Sequence, residues 1–95
     1  MPLRSVDFEV WGRVQGVFFR KYTQKEATKL GLKGWCMNTK DLTVKGVLEG
    51  EPESINKMKD WLEKVGSPSS EISKAAFQNE HEIPEHTYYD FSIKR

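Results

Sequence analysis

An α+β sandwich, with a mostly antiparallel sheet and two helices on one face, is the fold class this sequence predicts. Three observations carry it. Apolar and charged residues alternate around Val6, Phe8 and Val10. Two later segments repeat apolar residues at helical spacing. The elements follow the order strand, helix, strand, strand, helix, strand, with a possible extra terminal strand. Two helices are too few to cover both faces of such a sheet, so both pack on one face. A ferredoxin-like split βαββαβ sandwich results, and 95 residues leave room for one such domain, 1–95.

Each element has its own signal. Val6, Phe8 and Val10 alternate with Asp7 and Glu9, the period-two pattern of a strand with one buried face. Residues 12–18 break that pattern with two glycines, and a helix follows in which Phe19, Tyr22, Ala27 and Leu30 can share one side. Gly31 ends it. Residues 33–38 read as a short strand, 39–42 as a turn, and 43–49 as a third strand with Val44 and Leu48 on one face, which makes a hairpin. Pro52 suits the first turn of a second helix, where Ile55, Met58, Leu62 and Val65 fall at helical spacing before Gly66 and Pro68. Glu53 with Lys57, and Asp60 with Lys64, are spaced to meet on its solvated side. Residues 72–80 and 89–94 read as two further strands around a polar loop holding His81, Pro84 and His86.

The bulk composition excludes several function classes. Fifteen basic residues against 14 acidic give a net charge of +1, so the chain as a whole has no field to attract nucleic acid or an anionic membrane. Any anion site must be local. With 37% hydrophobic and 31% charged residues the chain reads as globular, not as a disordered tail. One cysteine cannot make an internal disulfide or the usual structural zinc site. No signal-peptide core opens the sequence, and no apolar run approaches the roughly 20 residues of a membrane span. A cytoplasmic protein, expected to be monomeric, is the consequent reading.

The chemistry concentrates in Gly12-Arg13-Val14-Gln15-Gly16-Val17-Phe18-Phe19-Arg20, which runs from a strand through a loop into a helix. Glycines let backbone amides turn toward one point, and a helix N-terminus adds orphan N–H donors and the positive end of its dipole. Such a cup suits a phosphate. Arg20 can add a planar, permanently charged guanidinium that grips two phosphate oxygens at once. The same residues are also compatible with a plain surface turn and a solvated arginine.

This segment resembles the phosphate-binding signature of the acylphosphatases from Gly12 through Arg20 without a gap. Gly34-Trp35-Cys36-Met37-Asn38 is similar to the family's second signature, with Val44 and Gly50 at its later valine and glycine. Gly66-Ser67-Pro68 and Tyr88-Tyr89-Asp90-Phe91-Ser92-Ile93 also resemble family segments, so the likeness spans nearly the whole chain. It implies an enzyme that hydrolyses acyl phosphates without metal or cofactor. It further implies that Gln15, Gly16, Val17, Phe18, Phe19 and Arg20 supply the amide cradle, Arg20 the guanidinium, and Asn38 the carboxamide that orients water. The partner implied is a small acyl phosphate or inorganic phosphate, with no nucleic acid and no membrane. One departure is Leu42, where the family pattern has glycine at the hairpin tip; a leucine forced to positive φ there costs about 1 kcal/mol or somewhat more.

Other reactive residues have structural readings. Cys36 lies two residues before Asn38, on the same face of a strand, but Leu42 occupies the place where a cysteine phosphatase carries its arginine, so Cys36 reads as core. His81 and His86 lack companion ligands and read as solvated loop histidines. Trp11, Trp35 and Trp61 read as core or rim packing, and Arg13 as solvent-facing or anion-steering. An RNA-recognition module of similar element order would need spaced aromatics on the third strand, which Thr43-Val44-Lys45-Gly46-Val47-Leu48-Glu49 lacks. A copper chaperone would need two cysteines. A non-catalytic anion-sensing domain stays open.

Overall fold

The computed structural model describes residues 2–94. Its elements are β1 (Leu3–Arg13), α1 (Phe19–Lys29), β2 (Lys33–Asn38), β3 (Val44–Gly50), α2 (Pro52–Lys64), β4 (Glu71–Ile83) and β5 (Phe91–Ile93). The sheet order is β4-β1-β3-β2-β5. β1 lies antiparallel between β4 and β3, β2 pairs antiparallel with β3, and β5 adds parallel to β2 through Gly34, Trp35 and Cys36. This is the split βαββαβ sandwich, with β5 as the extra strand.

The alternation in β1 does what its period requires. Val6, Phe8 and Val10 are buried and pack with Val44, Leu48, Cys36 and Phe91 from the neighbouring strands and with Phe19, Ala27, Ile55, Met58 and Leu62 from the helices. Phe19 and Trp61 bring the helices together, with ring centroids 5.7 Å apart at 39°. α2 carries its expected pairs: Lys57 Nζ lies 3.9 Å from Glu53 and Lys64 Nζ 3.0 Å from Asp60.

Several expectations need correction. Tyr22 does not share the buried side of α1; Thr23 does, fully buried, with its hydroxyl donating to the Phe19 carbonyl at 2.7 Å. The helix buries the i, i+4 row Phe19, Thr23, Ala27, and a backbone bond inside the turn satisfies a threonine there. Val65 is exposed because it caps α2 instead of continuing it. β3 runs Val44–Gly50, one residue later than expected. β4 begins at Glu71 and continues through Ile83, so His81 belongs to the strand and not to the loop. The pairing with β1 shifts register between Ser5 and Asp7, opposite Asn79 at φ 56°, and such a bulge hides the strand's continuation from a period-two reading. β5 starts at Phe91, and Tyr89 stays in the preceding turn, almost fully exposed. Leu42 does adopt positive φ, at 66°.

Candidate active site

Residues 14–18 turn the chain from β1 into α1. Val14 is buried and Val17 packs against the core, so two apolar anchors fix the loop from beneath. Above them the backbone goes left-handed twice, at Gly16 (φ 74°) and at Phe18 (φ 57°, ψ 27°). A Cβ on Gly16 would meet nothing within 4 Å, so glycine serves there for its conformation and not for space. Phe18 is the N-cap of α1, yet no side chain caps the helix and its first turn holds no acidic residue. The first helical bond runs from the Tyr22 amide to the Phe18 carbonyl at 3.1 Å. Among the described residues, the amides of 15–21 donate to no backbone carbonyl outside the helix. They are free to meet an anion.

These amides border a cleft of about 680 Å³ lined by Gln15, Gly16, Phe18, Phe19, Arg20 and Asn38, together with Lys21, Gln24 and Ile93. Val17 is the one predicted site residue whose side chain stays out of the cleft, because it turns into the core; its expected role used only the amide. Arg20 is half-buried and makes no salt bridge among the described residues. Asn38, the last residue of β2, makes no hydrogen bond through its carboxamide, and its Oδ1 is shut off from solvent without a partner.

The two halves of the cleft are tied together. Gln15 Nε2 donates to the carbonyls of Thr39 (3.2 Å) and Thr43 (3.0 Å), joining the loop to the hairpin that carries Asn38. The hairpin is braced in turn: Thr39 Oγ1 and Thr43 Oγ1 are 2.6 Å apart, and Thr43 Oγ1 donates to Glu9 Oε2 at 2.6 Å. On the far side, Gln24 Nε2 donates to the Phe91 carbonyl at 3.0 Å and fixes β5, which brings Ile93 to the cleft. Sequence reading missed these side-chain ties, since all but the Thr39–Thr43 contact join residues 24 to 67 positions apart. Lys21 did leave a readable signal: a cation in the first turn opposes the helix dipole and asks for a reason.

The other candidates fall elsewhere. Cys36 is fully buried, its Sγ 3.9 Å from the Arg20 carbonyl, and burial pushes the thiol up to about 12 against a smaller downward pull from Arg20. A thiol held neutral is core and not a nucleophile. His81 is exposed on β4, Nδ1 2.7 Å from the Asn79 carbonyl. His86 is not the solvated histidine expected, because it is half-buried with Nδ1 3.8 Å from the carboxylate of Glu49. That carboxylate is itself buried and accepts hydrogen bonds from the Thr87 amide (2.8 Å), the Thr87 hydroxyl and the Tyr88 amide (3.2 Å), pinning the loop 84–90 onto the sheet. Trp11 and Trp35 lie half-buried, with Lys74 4.8 Å and Lys94 4.3 Å from their ring centres.

An amide-lined loop at a helix N-terminus, one unpaired guanidinium and one unpaired carboxamide meet at one cleft of a split βαββαβ sandwich, and define a small α+β domain with an open polar site. Comparison with known proteins gives that class a family. The acylphosphatase family model matches residues 6–93. Rattus norvegicus Acylphosphatase-2 is 56% identical over 93 residues, covering 98% of this chain and 96% of its own. The crystal structure of acylphosphatase from Bacillus subtilis superposes with a TM-score of 0.88 at 33% identity, covering 97% of this chain and 99% of that one. An acylphosphatase structure from Coxiella burnetii gives 0.84 at 35%, covering 98% and 94%. The chain belongs to the acylphosphatase family. With that membership comes the reaction class, enzymatic hydrolysis of acyl phosphates to carboxylate and inorganic phosphate.

Proposed function

We propose that the chain hydrolyses acyl phosphates by direct attack of water on phosphorus, with Arg20 and the amides of residues 15–20 holding the phosphate and Asn38 orienting the water. The observation that carries this reading is the convergence on one cleft of unpaired amides, an unpaired guanidinium and an unpaired carboxamide. A phosphoryl transition state spreads negative charge over its oxygens, so positioning and fixed positive charge supply most of the catalysis. As the water oxygen bonds to phosphorus, the bond from phosphorus to the acyl oxygen breaks and the carboxylate leaves with the electron pair. Its conjugate acid has a pKa of about 4, so no general acid is needed and neither histidine is called on. The substrate phosphate takes the water's proton. Asn38 cannot act as a base, but a half-turn of its carboxamide presents either an acceptor or a donor to the cleft, and either can hold a water in line. A buried acceptor left without a partner costs about 1–3 kcal/mol, an expense offset when a donor is seated beside it.

The same reading expects residues 1–95 to act as one monomeric domain in the cytoplasm, on small acyl phosphates, without metal, cofactor, nucleic acid or membrane. Supporting it, no helix among the described residues is long and apolar enough to cross a membrane. The test is purified protein with benzoyl phosphate and EDTA, following benzoate and phosphate together. Equal release of both above the spontaneous rate is expected. Phosphate binding without turnover would make the chain an anion-binding module, and activity restored by a divalent ion after chelation would overturn the metal-free mechanism.

A further inference from the structure

The helices cover one face of the sheet and leave the other bare. Val6, Phe8 and Val10 turn from β1 into the covered core, so Asp7, Glu9 and Trp11 stand on the bare side, and Trp35 stands there because its neighbour Cys36 is buried. Trp61 packs against the core; Trp11 and Trp35 do not. One rung of the sheet sets Gln78, Asp7, Val47 and Trp35 side by side, the next sets Ala76, Glu9 and Lys45, and Trp11 follows two residues beyond Glu9. The two indoles thus stand at diagonal corners of a groove of about 320 Å³ that all these residues line. It shares no lining residue with the candidate cleft at α1.

The groove's polar groups are only partly engaged. Asp7 Oδ2 accepts from Asn79 Nδ2 at 2.9 Å and Glu9 Oε2 from the Thr43 hydroxyl at 2.6 Å, which leaves the second oxygen of each carboxylate without a protein donor among the described residues. Lys45 faces Glu9 in register yet makes no salt bridge with it. Lys74 and Lys94, exposed and also without a salt bridge, rest over the rings of Trp11 and Trp35. A sheet face turned to water is ordinarily polar, so two indoles over open acceptors ask for a ligand. We propose that this groove is a second ligand site, and that it takes a planar amino-heterocycle carrying an anionic group, the chemistry of a nucleoside monophosphate. Each part of that ligand has its counterpart. The indole faces stack on the ring, the free oxygens of Asp7 and Glu9 accept from its amino group, and the Gln78 carboxamide can both donate and accept. Lys45 meets the phosphate, joined by Lys74 and Lys94 as they yield the indole faces to the ring. Three lysines at the rim disfavour a bare cation, and two carboxylates on the floor disfavour a bare anion. The volume lies at the small end of the range of roughly 300–1,000 Å³ usual for small-molecule sites, which suits one nucleotide and not a polymer.

The probe is AMP, titrated into isotope-labelled protein and followed by NMR at the indole N–H resonances of the three tryptophans. Trp11 and Trp35 are expected to shift along one saturable curve while Trp61, on α2, stays in place. Trp11→Leu and Trp35→Leu are each expected to weaken AMP binding by about 5-fold or more, read at the remaining indole. Lys45→Gln, an exposed change that leaves the fold alone, is expected to weaken it by about 3-fold, more at low salt. A control with Lys57→Gln and Lys64→Gln on α2 is expected to bind like the parent. Glu9 is left in place, since its bond to Thr43 braces the hairpin that carries Asn38. Ribose phosphate, which has the anion without the base, is expected to move neither indole. Static Trp11 and Trp35 resonances, or equal affinity in the parent and Lys45→Gln, overturn the site. A response abolished by excess inorganic phosphate overturns it too, because AMP would then lie in the cleft at α1. An equal response to ribose phosphate overturns the choice of ligand and leaves only an anion site.

Discussion

The two helices pack on the same face of the same sheet, yet they obey different rules at their N-termini. α2 has Pro52 in its first turn, Glu53 beside it and Lys64 in its last turn, so a proline with no amide to waste opens it and its charges complement its dipole. α1, which like α2 has no capping side chain, has a left-handed Phe18 for a cap, no acid in its first turn, and Arg20 and Lys21 where an acid would be stabilising. One N-terminus has its dipole complemented by the chain's own charge. The other is left open, and the candidate cleft lies there. Departures from local rules that nothing nearby compensates mark where a ligand is meant to complete the structure.

The largest way to break this contrast is at the residues proposed to meet the ligand. Asn38→Ala is expected to lower benzoyl phosphate turnover by about 10²- to 10³-fold while inorganic phosphate affinity moves only a few-fold. A folded variant within a few-fold of the parent would remove Asn38 from the reaction. Arg20→Ala is expected to weaken phosphate binding and turnover together, and Arg20→Lys to rescue little, because an ammonium cannot meet two oxygens with a planar fork. Unchanged phosphate affinity would take Arg20 out of the cradle.

Beneath the open N-terminus, Cys36→Ser is expected to keep turnover and lose about 1–3 kcal/mol of stability, since a hydroxyl replaces a thiol at a fully buried site. pH sharpens the test. The thiol's folded pKa is raised from 9.0 to about 12, so its contribution is complete below pH 9 and is lost as pH rises toward 12. Denaturation midpoints between those limits should fall more steeply in the parent than in Cys36→Ser; parallel curves would contradict the burial argument. Giving α1 the kind of beginning α2 has is a smaller change: Lys21→Glu is expected to stabilise the helix by about 0.3–1 kcal/mol while weakening phosphate binding. If both rose together, the open end would have no functional cost. Last, Leu42→Gly relieves a left-handed leucine and is expected to add about 1 kcal/mol or less without altering turnover. A large change in turnover would show that the hairpin tip shapes the cleft.

The contrast also explains what the sequence made legible. α2 can be placed because its local signals, Val65 apart, agree with its tertiary setting, and β2 is bounded correctly because Gly31 before it and the turn after it punctuate the chain. The loop of residues 12–20 was visible as chemistry because its signals are contiguous. What stayed hidden depends on distant partners: the bulge opposite Ser5 and Asp7, the buried Glu49 holding the loop that contains His86, and Gln15 spanning to the hairpin. None of these follows from periodicity, because each is decided by a contact between segments far apart in the chain.

The phosphate cradle proposed for residues 15–20 is made of main-chain amides, and that choice reaches beyond the reaction. A substitution can delete an arginine or an asparagine, but it cannot delete an N–H unless it brings in proline. Along residues 15–20 the lineage can exchange side chains and still inherit the cradle, provided the backbone keeps its two left-handed turns at Gly16 and Phe18. Heredity is therefore strict on shape here and permissive on chemistry, and loss of function by drift should pass through the turn at Gly16 sooner than through the exposed ring of Phe18.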